Sequence, residues 1–161
     1  MSLSIVLFEP EIPQNTGNIA RTCAATGVKL YLVEPLGFSL EDKYLKRAGL
    51  DYWPMVDLDV LKSWDEVESL LDKENFFLVS KFAERTYTEI AYPDDSILVF
   101  GSESRGLPDY IKEKYKERLI RIPMRSSARS LNLSNAVAIM AYEVLRQHGF
   151  PGLARAFQED V

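Results

Sequence analysis

This chain is poor in the side chains on which much enzyme chemistry rests. Among 161 residues there is one cysteine and one histidine. A lone Cys23 excludes an intrachain disulfide and reads as a buried helix position. One imidazole and one thiol do not make the usual donor set of a zinc site, so no metal is expected. His148 falls at the end of a helical pattern, where it complements the helix dipole rather than serving a hydrolytic triad. No apolar run approaches the roughly 20 residues that cross a bilayer. The first strand-like run, Ser4 to Phe8, is too short for the apolar core of a signal peptide. Gly-x-Gly-x-x-Gly is absent. Gly101 to Gly106 has the spacing of a phosphate-binding loop, but Leu107-Pro108 stands where Lys-Ser/Thr would contact phosphate and magnesium. These absences set aside ordinary NTPases, classical dinucleotide enzymes and histidine-based hydrolases. They point to one cytosolic domain over residues 1–161, without metal or membrane span.

The elements that are present alternate. Ile5 to Phe8, Lys29 to Val33, Asn75 to Ser80, Ser96 to Phe100 and Arg118 to Ile122 read as strands. Helices are predicted from near Gly17 to Thr26 with Gly27 as stop, from Asp42 to Ala48, and from Ser63 to Leu71. Glu66 completes a capping box with Ser63. A long helix starts at Ser134 or Asn135 and ends at Gly149. This order predicts an α/β fold with a mainly parallel sheet flanked by helices. In the last helix Ala136 to Tyr142 are seven successive apolar residues. A helix apolar nearly all round is covered on all sides, by the core alone or by a second subunit, and a homodimer is the expectation.

Charge is uneven. Net charge is −5, yet Lys112 to Arg129 carries seven basic against two acidic side chains. Such a stripe can hold a phosphate backbone or can be a solvated helix face.

Three polar, glycine-bearing segments each follow an apolar run and precede a helical pattern. They are Asn15-Thr16-Gly17-Asn18-Ile19-Ala20-Arg21, Phe100-Gly101-Ser102-Glu103-Ser104-Arg105-Gly106-Leu107-Pro108, and Ile122-Pro123-Met124 running to Arg129-Ser130-Leu131-Asn132-Leu133-Ser134-Asn135. Loops at strand ends are where open α/β sheets hold ligands. Together they suggest one site built from Arg21, Glu103, Arg105, Ser130, Asn132 and Asn135, rich in donors and poor in nucleophiles. Each residue also has a plainer use: Asn15 and Asn132 can cap helices, and Arg105 can pair with Glu103.

This set of segments resembles the three motifs of the SPOUT superfamily, specifically its ribose 2′-O-methyltransferases of tRNA and rRNA. Glu9-Pro10-Glu11-Ile12-Pro13 and Arg47-Ala48-Gly49-Leu50-Asp51-Tyr52 are similar to the compact TrmL-type members, which methylate the wobble ribose of leucine tRNAs. The similarity runs from Ile5 to Gly152; Ala128 departs from it where relatives carry serine. The resemblance implies a C-terminal trefoil knot, a rare topology, and S-adenosyl-L-methionine as cofactor. It would lie against Leu78, Gly101, Ile122 and Ser130, largely through backbone groups, with Leu131 and Leu133 in apolar contact. Asn15, Arg21, Glu103 and Asn132 are the implied catalytic residues. The implied partners are a second copy of the chain and the anticodon stem-loop of tRNA, gripped by Lys112 to Arg129 and by Lys43, Lys46 and Arg47. Because a guanidinium keeps its proton, Arg21 suits holding phosphate and stabilising a developing alkoxide, leaving Glu103 as proton acceptor or arginine-orienting partner. Methylation of ribosomal RNA, and a knotted RNA-binding protein without catalysis, are the alternatives.

Overall fold

Period-two alternation divides the apolar residues of the central strands between two layers. In β1 (Leu3–Phe8) Ile5 and Leu7 enter one core, and Val6 and Phe8 enter the other. In the strand Ser96–Phe100, Leu98 and Phe100 join the first core and Ile97 and Val99 the second. Strands buried on both faces read as continuous apolar runs, as parallel strands do. The computed structural model describes residues 2–72 and 74–159; the side chains of 49–51, which include part of the Arg47–Tyr52 motif, lie outside the described residues.

The remaining elements, in chain order, are α1 (Pro13–Thr26), β2 (Lys29–Val33), α2 (Lys43–Gly49), β3 (Leu58–Leu61), α3 (Trp64–Glu68), β4 (Phe76–Val79), β5 (Arg85–Thr86), β6 (Ser96–Phe100), α4 (Asp109–Lys114), β7 (Leu119–Arg121) and α5 (Leu133–Gln147). The seven strands form one sheet in the order β3-β2-β1-β6-β4-β7-β5. Every pairing is parallel. Helices α1 and α5 cover the first core through Ile19, Ala20 and Cys23, and through Val137, Met140, Ala141 and Val144. Trp64 and Val67 of α3 and Ile111 of α4 cover the second. Burial without a polar partner pushes the Cys23 thiol up to about 12, so it is an inert core residue.

Several boundaries differ from the sequence reading, each for a local reason. Helix α1 begins at Pro13, not near Gly17, because proline fits the first helical turn, where its missing N–H would have had no partner anyway. It does end at Gly27, whose φ is 76°. Ser63 caps α3 only by position: the Glu66 carboxylate accepts from the Lys62 N–H at 2.8 Å, one residue upstream, and the helix stops at Glu68. Helix α5 starts one residue early, because Asn132 caps it by accepting from the Asn135 N–H at 3.2 Å. Strands β3 and β5 were not foreseen; one is half-buried at the sheet edge and the other has two residues. On α5, Ile139 and Tyr142 stay 39% and 45% exposed, so two members of the apolar run have no cover within the chain.

Candidate active site

Strands β4, β6 and β7 lie side by side and run in one direction, so their C-terminal loops emerge together at one sheet edge. With the start of α5 they enclose a cavity of about 540 Å³, within the size range of small-molecule sites. Val79, Phe100, Ile122, Leu131 and Leu133 give it apolar walls; Asn15, Glu103, Ser130 and Asn132 give it polar ones.

The β6 loop is folded back on itself. The Gly106 N–H donates to the Ser102 carbonyl at 2.9 Å, and Gly106 has a φ of 66°, a conformation glycine adopts without strain. Gly101 sits so close to the returning chain that a Cβ there would overlap the backbone of Gly106 and Leu107. The tight turn brings Ser102 to Leu107 to the cavity wall.

Glu103 is docked by one oxygen. Its Oε2 accepts from the N–H groups of Glu11 at 2.7 Å and Ile12 at 3.0 Å, just ahead of α1. That helix has no side-chain cap of its own, so Glu103 serves its N-terminus from across the sheet. Its Oε1 is buried without a hydrogen-bond partner. Burial raises the Glu103 carboxyl above the usual carboxylate range, against the backbone N–H groups of Glu11, Ile12 and Glu103 itself that lower it. Glu11 returns the contact: its carboxylate accepts from the Ser104 hydroxyl at 2.7 and 2.9 Å. Arg105 does not hold Glu103; the Glu103 carboxylate is occupied by backbone donors.

Asn15 and Asn132, 117 positions apart in sequence, meet here: the Asn132 Nδ2 donates to the Asn15 Oδ1 at 3.0 Å. Asn15 is 6% exposed and sits inside α1 rather than capping it. Asn132 is the cap of α5, and the same Oδ1 that caps the helix accepts from the Ser134 hydroxyl at 2.5 Å.

Of the twelve residues expected at the site, nine line the cavity: Asn15, Gly101, Glu103, Arg105, Ile122, Ser130, Leu131, Asn132 and Leu133. Three do not. Asn135 lies in the first turn of α5, where its N–H meets the Asn132 side chain. The Leu78 side chain is fully buried in the second core, and its neighbour Val79 lines the cavity instead, as strand alternation requires. Arg21 lies six residues beyond Asn15 in α1, roughly 120° around the helix; it is exposed, and its guanidinium sits 5.2 Å from the centre of the Tyr52 ring. The sequence reading missed Ser80, Lys81 and Phe82, which follow β4 and also line the cavity. They carry the signal used elsewhere, a polar loop after an apolar strand, but without a glycine.

The basic stretch from Lys112 to Arg129 is not one stripe. Lys114 turns away to Glu68 at 2.9 Å, and Arg118 lies 5.5 and 5.7 Å from the Phe76 and Phe77 ring centres. Lys112, Arg121 and Arg129 face the cavity. No group of three or more histidines, cysteines or carboxylates able to hold a metal ion occurs among the described residues. No helix among them is long and apolar enough to cross a membrane.

The fold is a parallel α/β sheet with a strand-end cavity lined by amides, hydroxyls, basic side chains and, among the described residues, one carboxylate, Glu103. The model of the SpoU rRNA methylase family matches residues 2–142, and the chain belongs to that family of methylases. It is 48% identical over 149 residues to a tRNA (cytidine(34)-2′-O)-methyltransferase of Methylovorus glucosotrophus, covering 92% of this chain and 97% of the other. A protein of the same name from Yersinia pestis is 45% identical over 159 residues, covering 93% and 96%. Among solved structures, one determined for the 2-OH methylation of C/U34 on tRNA superposes with a TM-score of 0.87 at 46% identity, covering 92% and 97%.

Proposed function

We propose that this protein transfers a methyl group from S-adenosyl-L-methionine to the ribose 2′-hydroxyl of the wobble nucleotide, cytidine or uridine, of tRNA, with leucine tRNAs as first candidates. The observation that carries the proposal is near-full-length identity to enzymes named for that reaction, joined to a cavity in which Asn15, Glu103 and Asn132 converge.

The cavity suits the cofactor. A flat base fits between apolar walls, and the glycine-tight β6 loop lies beside it. Gly101, Ile122, Ser130 and Leu131 would hold it. Bound there, it supplies an electrophilic methyl group on sulfur. The residues of the chain then align and activate the acceptor. Asn15 and Asn132, fixed by each other, suit orienting a ribose. The free Oε1 of Glu103, on a carboxyl whose proton affinity burial has increased, suits taking the proton of the 2′-hydroxyl. Arg21 suits holding a phosphate and the developing alkoxide. Since Arg21 is outside the cavity of its own chain, a second copy would deliver it, and the exposed Ile139 and Tyr142 of α5 are the face such a homodimer would cover. The trefoil knot rests on the family resemblance; the return of α5 from β7 to pack on α1 and β1 is the path such a knot needs. The anticodon stem-loop is the part of tRNA presented, in the cytoplasm.

The test is methyl transfer from labelled S-adenosyl-L-methionine to unmodified tRNA, followed by digestion and nucleoside mass spectrometry. A 2′-O-methylated pyrimidine at the first anticodon position is expected. The family description favours ribosomal RNA as second reading; label in that RNA and not in tRNA decides for it.

A further inference from the structure

Beside the cavity runs a second groove of about 520 Å³ that shares Lys81, Phe82, Arg121, Met124 and Arg129 with it and adds Arg125. No carboxylate occurs among its described lining residues, so four cations face it uncompensated from within. Phe82 stands at the divide and is 66% exposed. One exposed phenyl is ordinary on a protein surface. Here, however, the Lys112 ammonium lies 4.4 Å from the ring centre and that of Lys81 lies 5.3 Å away. The loop that carries the ring is held: the Phe82 N–H donates to the Ser80 hydroxyl at 3.2 Å, and Arg121 donates to the Lys81 carbonyl at 2.9 Å. An exposed aromatic ring beside a cluster of cations is the composition of a single-stranded nucleic-acid subsite.

We propose that Phe82 is a stacking platform for the base next to the methylated nucleotide, and that Arg125 and Arg129 hold the phosphate between them. The inference rests on the RNA-methylation reading and adds a subsite to it. Continuity of groove and cavity places a neighbouring nucleotide there while the target ribose occupies the cavity. Every base has a π-face, so the platform secures the loop without selecting its sequence.

The experiment uses an anticodon stem-loop RNA with 2-aminopurine on one side or the other of the wobble position. Binding to the wild type quenches one of the two probes. Phe82→Ala abolishes that quench and raises the RNA Kd about tenfold, while Phe82→Trp restores both. The melting temperature stays unchanged, because the ring is exposed. Arg125→Ala lowers the slope of log affinity against log salt by about 0.7. Quenching that survives Phe82→Ala overturns the proposal, as does a loss of cofactor affinity without loss of RNA affinity, which would make Phe82 part of the cofactor wall. If the wild type ignores the stem-loop, the tRNA reading fails separately. A single-stranded oligoribonucleotide carrying the probe then reads the platform alone, and absence of quenching there overturns it too.

Discussion

Glu68 and Glu103 are both half-buried glutamates at clefts, yet their surroundings treat them in opposite ways. Glu68, at the end of α3, accepts with one oxygen from the Trp64 indole at 2.9 Å, the Lys114 ammonium at 2.9 Å and the Tyr115 hydroxyl at 2.8 Å. The Lys114 contact leads in lowering its pKa. Glu103 meets only backbone N–H groups, keeps one oxygen unpartnered and is raised by burial. The difference teaches how to tell a structural carboxylate from a reactive one. Where a cation and two neutral donors converge on one oxygen, the charged form is favoured and the group stays an anion. Where docking uses one oxygen and burial acts on the other, the group retains proton affinity and an open acceptor.

The comparison breaks most severely at the loop that carries Glu103. Gly101→Ala forces the β6 turn apart; methyl transfer and cofactor binding are both expected to vanish, with about 3 kcal/mol of stability lost to overpacking, measurable by calorimetry and denaturant melts. Glu103→Gln keeps an oxygen for the Glu11 and Ile12 donors and removes the base. Turnover should fall by about 100-fold or more while cofactor affinity holds; unchanged turnover would reduce Glu103 to a docking role. Asn132→Ala removes both the α5 cap and the bond to Asn15, so turnover drops at least about tenfold and stability by about 1 kcal/mol. Asn15→Ala should cost similar turnover and less stability, because no cap is lost.

Smaller effects separate the two carboxylates by pH. The Glu68 pKa is lowered in the folded state, so its contribution is present above the ordinary glutamate range and lost as pH falls through the folded value. The Glu103 pKa is raised, so its contribution is present below that range and lost as pH rises through the folded value. Thermal melts from pH 3 to 7 should therefore show Glu103→Gln gaining on the wild type as pH rises, and Glu68→Gln losing ground over the same range. At neutral pH, Glu68→Ala should leave methyl transfer unchanged and cost about 1 kcal/mol at most.

Much was legible from the chain alone. Strong β-branched and aromatic runs located β2 and β6 to the residue, and αL glycine marked the end of α1 at Gly27. Three motif segments located most of the cavity, because loops at the ends of parallel strands must converge once the strands are adjacent. Three kinds of information were not legible. Strand alternation sends Leu78 to the far core and Val79 to the site, a one-residue parity that depends on which face each layer covers. The Ser80–Phe82 loop has no glycine to mark it. The split of the basic stretch follows from α4 packing its Lys114 side against Glu68, a residue of another helix.

Taken alone, the sequence determined the α/β class and the three polar segments from which most of the cavity is built, because composition and local periodicity are properties of neighbours along the chain. Tertiary structure alone decided that Asn15 meets Asn132, that Glu103 caps a helix it does not belong to and keeps one oxygen free, and that Arg21 points elsewhere. Those facts depend on distances between residues about 90 to 120 positions apart, and on burial, which no local pattern specifies.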